Sequence, residues 1–251
     1  MELAVTIAGR TYDVALDRPS SLAIPLRFDG PQPVFFGAPA ATAKPLSAGG
    51  FVGDTRRGGS CNVAELRLVP HCNGTHTESL AHILHGGLSV ADALPHGLMS
   101  AVLVSVTPAG EGGDRIVTRD AIDAAMAGDN ADALIVRTLP NGESKMTAVY
   151  DDANQPPYFA ADAMAAIVAR GILHLLVDFP SIDRMDDGRL ANHRAFWNLA
   201  GRAETGRTVT EMIFVADDIP DGRYLLDLQI PAFFSDAAPS RPVIYPLRER
   251  V

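Results

Sequence analysis

Residues 70–82 read Pro70-His71-Cys72-Asn73-Gly74-Thr75-His76-Thr77-Glu78-Ser79-Leu80-Ala81-His82. Imidazole, carboxylate and thiolate are the donors of catalytic zinc and related ions, and this short stretch holds all three. Alternation along an extended strand predicts that Cys72, Gly74, His76 and Glu78 share a face. Gly74 would then leave room above the backbone for a metal or a substrate. Ser79 is suited to cap a helix over Ser79 to Leu84, which would return His82 toward the site. His71 points to the other face unless the Asn73-Gly74 pair, a turn or bulge signal, kinks the strand. Taken alone, Cys72 reads as a small buried apolar residue. His85 and His96 have no acid at useful spacing and read as ordinary histidines.

Outward from this stretch, Leu3 to Ile7 and Tyr12 to Leu16 read as a hairpin around Ala8-Gly9-Arg10. Residues 18–60 are rich in Pro, Gly and Ala and read as irregular, with Phe35, Phe36 and Phe51 available to form one wall of a pocket. Downstream, Ala101 to Val106, Ala133 to Arg137 and Ile172 to Val177 are apolar runs of strand length. Val209 to Val215 and Tyr224 to Ile230 read as late strands. Helices are expected over Thr118 to Met126 with Thr118 as N-cap, over Ala160 to Arg170 closed by Gly171, and over Leu190 to Leu199. Strands alternating with helices between terminal hairpins predict an α/β fold with a mixed sheet, read as a single domain over 1–251.

The 70–82 stretch resembles the signature of the cyclase family of metal-dependent hydrolases, His-x-Gly-Thr-His-x-Asp-x-Pro-x-His. Gly74, Thr75, His76 and His82 match at the family spacing. Cys72 stands at the first His, Glu78 at the Asp and Leu80 at the Pro, with His71 one position earlier as the other source of an imidazole. Gly53-Asp54-Thr55 resembles an upstream segment of the family, and Val177-Asp178-Phe179-Pro180-Ser181-Ile182-Asp183 resembles its Asp-x-Pro-Ser-x-Asp run. His193 and Glu211 resemble the ligands of the second half, with Glu204 as the second choice for the acid. Ala238-Pro239-Ser240-Arg241-Pro242 resembles the closing segment.

The resemblance implies a swivelling β/β/α fold, a homodimer or homotetramer, and a two-metal site bridged by Glu78. One ion would take His76, Glu78 and either Cys72 or His71; the other would take Glu78, His193 and Glu211. His82 matches the catalytic histidine, a general base and then an acid for the leaving nitrogen. Zinc is the expected ion, with manganese as the alternative and one or two ions per chain. Asp178, Ser181 and Asp183 are expected to build a turn around Pro180. Trp197, four residues after His193, is expected beside that ligand or in the core.

The chain has 251 residues, 47% hydrophobic and 20% charged, with a net charge of −9. This suits a full core and argues against nucleic acid, whose recognition needs a basic surface. Two cysteines, Cys61 and Cys72, make no disulfide framework. Reduced thiols and a cytoplasmic location are expected. The opening strand lacks a signal-peptide pattern, and Leu98 to Val106 is too short to span a bilayer, so no membrane partner is expected. No Gly-x-Ser-x-Gly elbow supplies a serine nucleophile, and no glycine-rich phosphate loop follows a strand. The expected activity is hydrolysis of a small amide, formamide or lactam by metal-activated water. A metal-dependent cyclase or dehydratase and a non-catalytic binding protein are the alternatives.

Overall fold

The computed structural model describes residues 2–94, 98–110, 113–126 and 131–250; His96 therefore lies outside the described residues. Ten strands follow one another across a mixed sheet: Ala4–Ile7, Arg10–Val14, Arg241–Glu249, Gly222–Gln229, Leu98–Val106, Ala133–Thr138, His174–Val177, Thr208–Glu211, His76–Glu78 and Ala237–Pro239. Ser20–Ser21 adds an eleventh beside Arg241–Glu249. The four strands from Leu98–Val106 to Thr208–Glu211 are parallel. Their crossovers carry the helices Arg119–Ala125, Ala161–Ala169 and Ala191–Phe196. The predicted α/β class with a mixed sheet is the observed one.

The parallel strands read as unbroken apolar runs because both faces are covered. On one face Val102, Val104, Leu134, Val136, Leu175 and Val177 meet Ile122, Met164, Ile167 and Trp197 of the helical layer. On the other, Ala101, Leu103, Ala133, Ile135 and Leu176 join Leu22, Leu226, Leu228 and Ile244. A one-residue slip in register would exchange these two sets, so two separate cores hold the register together. Thr118 accepts from the Ala121 amide at 3.3 Å and opens the first helix, as expected. Gly171, at φ +75°, follows the second.

Some elements end where local geometry forbids continuation. The strand predicted over Val209 to Val215 stops at Glu211, because Met212 takes the left-handed region at φ +53°. The helix predicted over Leu190 to Leu199 is only Ala191–Phe196; Leu190 itself is left-handed at φ +51°. The irregular segment contributes the strand Thr42–Pro45, which pairs antiparallel with Ala64–Arg67 just beyond it. Within 70–82 the expected strand and helix are both shorter. Pro70–Cys72 is a 3-10 turn, only His76–Glu78 is extended, and Leu80–His82 is a second 3-10 turn. The alternation that put Cys72 on the face of His76 therefore does not apply, since it requires an extended chain from residue 72.

Candidate metal centre

The His76–Glu78 strand lies between Thr208–Glu211 and Ala237–Pro239, antiparallel to both. It reaches that place through Gly74, whose φ of +117° is open to glycine. The expected free space above Gly74 is not toward the site: a Cβ there would face Leu26 and Pro33. The conformation, not the room, requires the glycine. Thr75 locks the approach, accepting from the Ile24 amide at 2.8 Å and donating to the Met212 carbonyl at 2.5 Å. His76 and Glu78 then share one face, while Thr77 meets Thr210 at 2.8 Å on the other. Ser79 caps the following turn through the Ala81 amide at 3.3 Å, and that turn carries His82.

Side chains from four parts of the chain converge on Glu78. Its Oε2 is 3.1 Å from His71 Nδ1 and 3.7 Å from His82 Nε2; its Oε1 is 2.9 Å from His193 Nε2. Glu211 completes the floor, with Oε2 3.4 Å from His76 Nε2 and Oε1 3.8 Å from His193 Nε2. Each inner imidazole is oriented from behind. His76 Nδ1 is 3.0 Å from the Gly74 carbonyl, to which it donates, and His193 Nδ1 is 2.5 Å from Asp183 Oδ2. Both rings therefore aim Nε2 at the centre.

Asp183 also accepts from the amides of Asn192 at 2.6 Å and His193 at 3.2 Å. It caps the short helix from outside, in place of Leu190, which has no capping oxygen. The turn reading of Asp183 thus misses its bond to His193. Asp178 does serve structure: its carboxylate takes the Thr138 amide at 2.8 Å and Lys145 Nζ at 2.7 Å, tying neighbouring strands together. Trp197 stacks on His193 with ring centroids 5.8 Å apart, and its Nε1 donates to the Arg207 carbonyl.

The electrostatics of the metal-free chain call for positive charge. Burial alone would raise the Glu78 pKa, but His193, His71 and His82 hold it well below the usual carboxylate range. Burial would lower the His193 pKa, yet Glu78, Asp183 and Glu211 together lift it to about 10. His71 is likewise lowered by burial and raised by Glu78 and Asp236, to about 9. His76 Nε2, both carboxylate oxygens of Glu78 and His193 Nε2 are buried without a hydrogen-bond partner. Buried polar atoms are ordinarily paired, and the two buried carboxylates call for positive charge, which protonated His71 and His193 supply in the metal-free chain and a bound cation would supply in their place. Nitrogen and oxygen donors converging in this way fit a divalent transition ion, and atoms of His71, His76 and Glu78, and of Glu78, His82 and His193, lie close enough to share one.

A cavity of about 610 Å³ opens onto this centre. Phe35 and Phe36 form part of its wall, as the irregular segment suggested, whereas Phe51 does not line it. Cys72 lines the cavity too; burial, and then Glu211, push its thiol pKa up. Cys72 and the exposed Cys61 are both free thiols. Glu204 is exposed and lies in a turn away from the cavity. His85 is exposed. Asp236 is the site residue that the sequence reading missed. It precedes the Ala237–Pro239 strand, and its Oδ2 is 2.9 Å from His71 Nε2. Its only signal in the sequence is its place just before the Ala238-Pro239-Ser240-Arg241-Pro242 segment.

Comparison with known proteins adds to this geometry. The sequence pattern of the Cyclase family matches residues 11–184. Kynurenine formamidase from Bacillus cereus is 27% identical over 197 residues, covering 75% of this chain and 82% of the relative. The kynurenine formamidase of Bacillus mycoides has the same identity and coverage. Among solved structures, isatin hydrolase A from Labrenzia aggregata superposes with a TM-score of 0.62 at 17% identity, over 91% of this chain and 93% of the other. A predicted metal-dependent hydrolase from Bacillus stearothermophilus gives a TM-score of 0.64 at 18% identity, over 91% and 98%. These structures share the fold.

Proposed function

The chain belongs to the Cyclase family, and from that premise we propose that it is a metal-dependent hydrolase of a small linear or cyclic amide, a formamide or a lactam. The observation that carries this reading is the set of four buried, unpartnered donor atoms on His76, Glu78 and His193 facing one another beside a ligand-sized cavity. The similarity to kynurenine formamidase supports the class of bond.

His71, His76 and Glu78 would hold one divalent ion, and Glu78, His193 and Glu211 a second. We assign the first-half imidazole to His71 rather than Cys72. The His71 ring already meets Glu78, and atoms of His71, His76 and Glu78 lie close enough to share an ion, in a group that does not include Cys72. Zinc is the ion we propose, because three imidazoles suit it, with manganese as the alternative. A bound divalent ion would lower the pKa of water to roughly 7 and polarise the amide carbonyl.

The protein's own groups carry the protons. His82 is a quarter exposed and lines the cavity, with its ring 5.5 Å from that of His193. It takes a proton from the attacking water as the oxygen joins the carbonyl carbon. It then delivers that proton to the nitrogen as the C–N bond breaks, leaving an amine and a carboxylic acid, which releases its remaining proton to solvent. Phe35, Phe36, Val69 and Leu190 of the cavity wall exclude bulk water and favour a substrate with an apolar body. We propose a homodimer or homotetramer located in the cytoplasm. Among the described residues no helix is long and apolar enough to cross a membrane.

The test uses protein purified without chelators, assayed for metal content and for turnover of N-formylkynurenine, isatin and a panel of simple formamides and lactams. Bound zinc or manganese together with release of amine and carboxylate is expected. Absence of metal uptake, or turnover undiminished by a chelator, would sink the reading.

A further inference from the structure

We propose that Asp236 is a positioning residue that makes His71 a competent metal ligand, so that a His71–Asp236 pair replaces the histidine missing at position 72; this rests on the hydrolase reading above. The chain builds Asp236 into place. The register Ala237↔Glu78 sets it one residue before the partner of Glu78. Its carbonyl accepts from the Ser79 amide at 2.9 Å, and Ser235 Oγ reaches its Oδ1 at 3.0 Å. That leaves Oδ2 facing His71 Nε2 at 2.9 Å. A neutral imidazole that donates from Nε2 carries its lone pair on Nδ1. His71 Nδ1 is the atom 3.1 Å from Glu78 Oε2, so the bond to Asp236 selects the tautomer that points a donor into the centre.

His71 needs such a hold because it sits on a 3-10 turn at the cavity rim, with its side chain 23% exposed. Without Asp236 its ring can swing toward solvent. The same Oδ2 lies 3.7 Å from His82 Nδ1, and the His71 and His82 rings are 4.3 Å apart with a 33° tilt. Asp236 thus stands behind both rings, opposite Glu78. A carboxylate behind a metal-binding histidine orients the ring and raises its basicity, and its loss costs about 10–100-fold in metal affinity or activity.

Zinc affinity of the full-length protein, measured by competition with a chelating dye, tests the pair. Asp236→Ala is expected to weaken zinc binding by about 10–100-fold. Asp236→Asn should fall between, because the amide oxygen still accepts from Nε2 but carries no charge. A double-mutant cycle separates positioning from general structure. In a His71→Ala background, Asp236→Ala should cost nothing further, whereas a merely structural role would cost the same in both backgrounds. Wild-type zinc affinity in both Asp236 variants, or additive losses in the cycle, would overturn the proposal while leaving the hydrolase reading intact. A wild-type protein that takes up no metal at all would overturn both.

Discussion

His76 and Glu211 stand directly opposite each other in the antiparallel pairing of their strands, and this register sets His76 Nε2 3.4 Å from Glu211 Oε2. Glu211 is held on its other oxygen by the Ile182 amide at 3.0 Å. The following residue, Met212, is left-handed, and its carbonyl is tied to Thr75. The Ile182 amide on the carboxylate and the Thr75 tie on the following backbone therefore place Glu211 before any ion binds, and such preorganisation keeps a site precise. Glu211→Ala should lower zinc affinity by more than the ~10–100-fold expected for loss of a supporting group. Metal content after dialysis against a weak chelator checks this. Full retention would show that Glu211 serves only the fold.

Asp183 should behave differently. Asp183→Asn keeps one oxygen for the Asn192 amide, which binds Oδ1, but puts an NH2 group in place of the Oδ2 that takes the His193 amide and the charge-assisted bond to His193 Nδ1. A loss of about 10–100-fold in metal affinity is expected with little change in melting temperature. Asp183→Ala removes the cap as well and should also cost ~1 kcal/mol of stability. Equal effects of the two variants on both readouts would refute this separation of roles.

His82→Ala should leave the metal in place and reduce turnover by roughly 10²–10⁴-fold, the span of a general acid–base group. Its Nε2 is 3.7 Å from Glu78 Oε2, farther than His71 Nδ1 at 3.1 Å. That difference is the reason to give it the proton rather than the ion. The measurement is kcat on whichever formamide or lactam the screen identifies, beside elemental analysis of the same sample. Metal loss in this variant, with metal retained in His71→Ala, would exchange their roles.

The first half of the site was largely written in one short stretch, since His76, Glu78 and His82 are too close in sequence to be brought together by anything but local turns. The apolar runs likewise announced the central strands, because double burial leaves no alternation to obscure them. What could not be read was the outcome of tertiary register. No local rule says that Ala237 pairs with Glu78, so Asp236 was invisible as a partner of His71. The turn at Pro70–Cys72 was also hidden. A strand and a 3-10 turn ending at Asn73-Gly74 have similar sequences, and strand alternation placed Cys72 rather than His71 on the site face. Asp183 read as a turn residue because its cap acts on a helix that begins eight residues later.

His174 gives a prediction about stability rather than catalysis. It lies in the parallel pairing with Thr208, and its Nδ1 is 2.9 Å from Thr208 Oγ1. Burial lowers its pKa from 6.5 to about 4 against the opposing effect of Asp132. The unfolded chain therefore binds the proton more readily than the folded one. The contribution of His174 is fully present above about pH 6.5 and is lost as pH falls from there toward about 4. Between pH 7 and pH 5 the loss should be about 2 kcal/mol, from the offset of the two pKa values. His71 and His193, with pKa values raised to about 9 and about 10, stay protonated in the folded metal-free chain throughout the interval; because the unfolded chain binds fewer protons there they oppose this slope, but their contribution is common to wild type and variant and cancels in the difference. Urea unfolding of the metal-free protein and of His174→Gln at pH 7 and pH 5 isolates the effect by subtraction. The wild type should lose about 2 kcal/mol more than the variant over this range. Equal losses in the two proteins would show that His174 titrates normally in the folded chain.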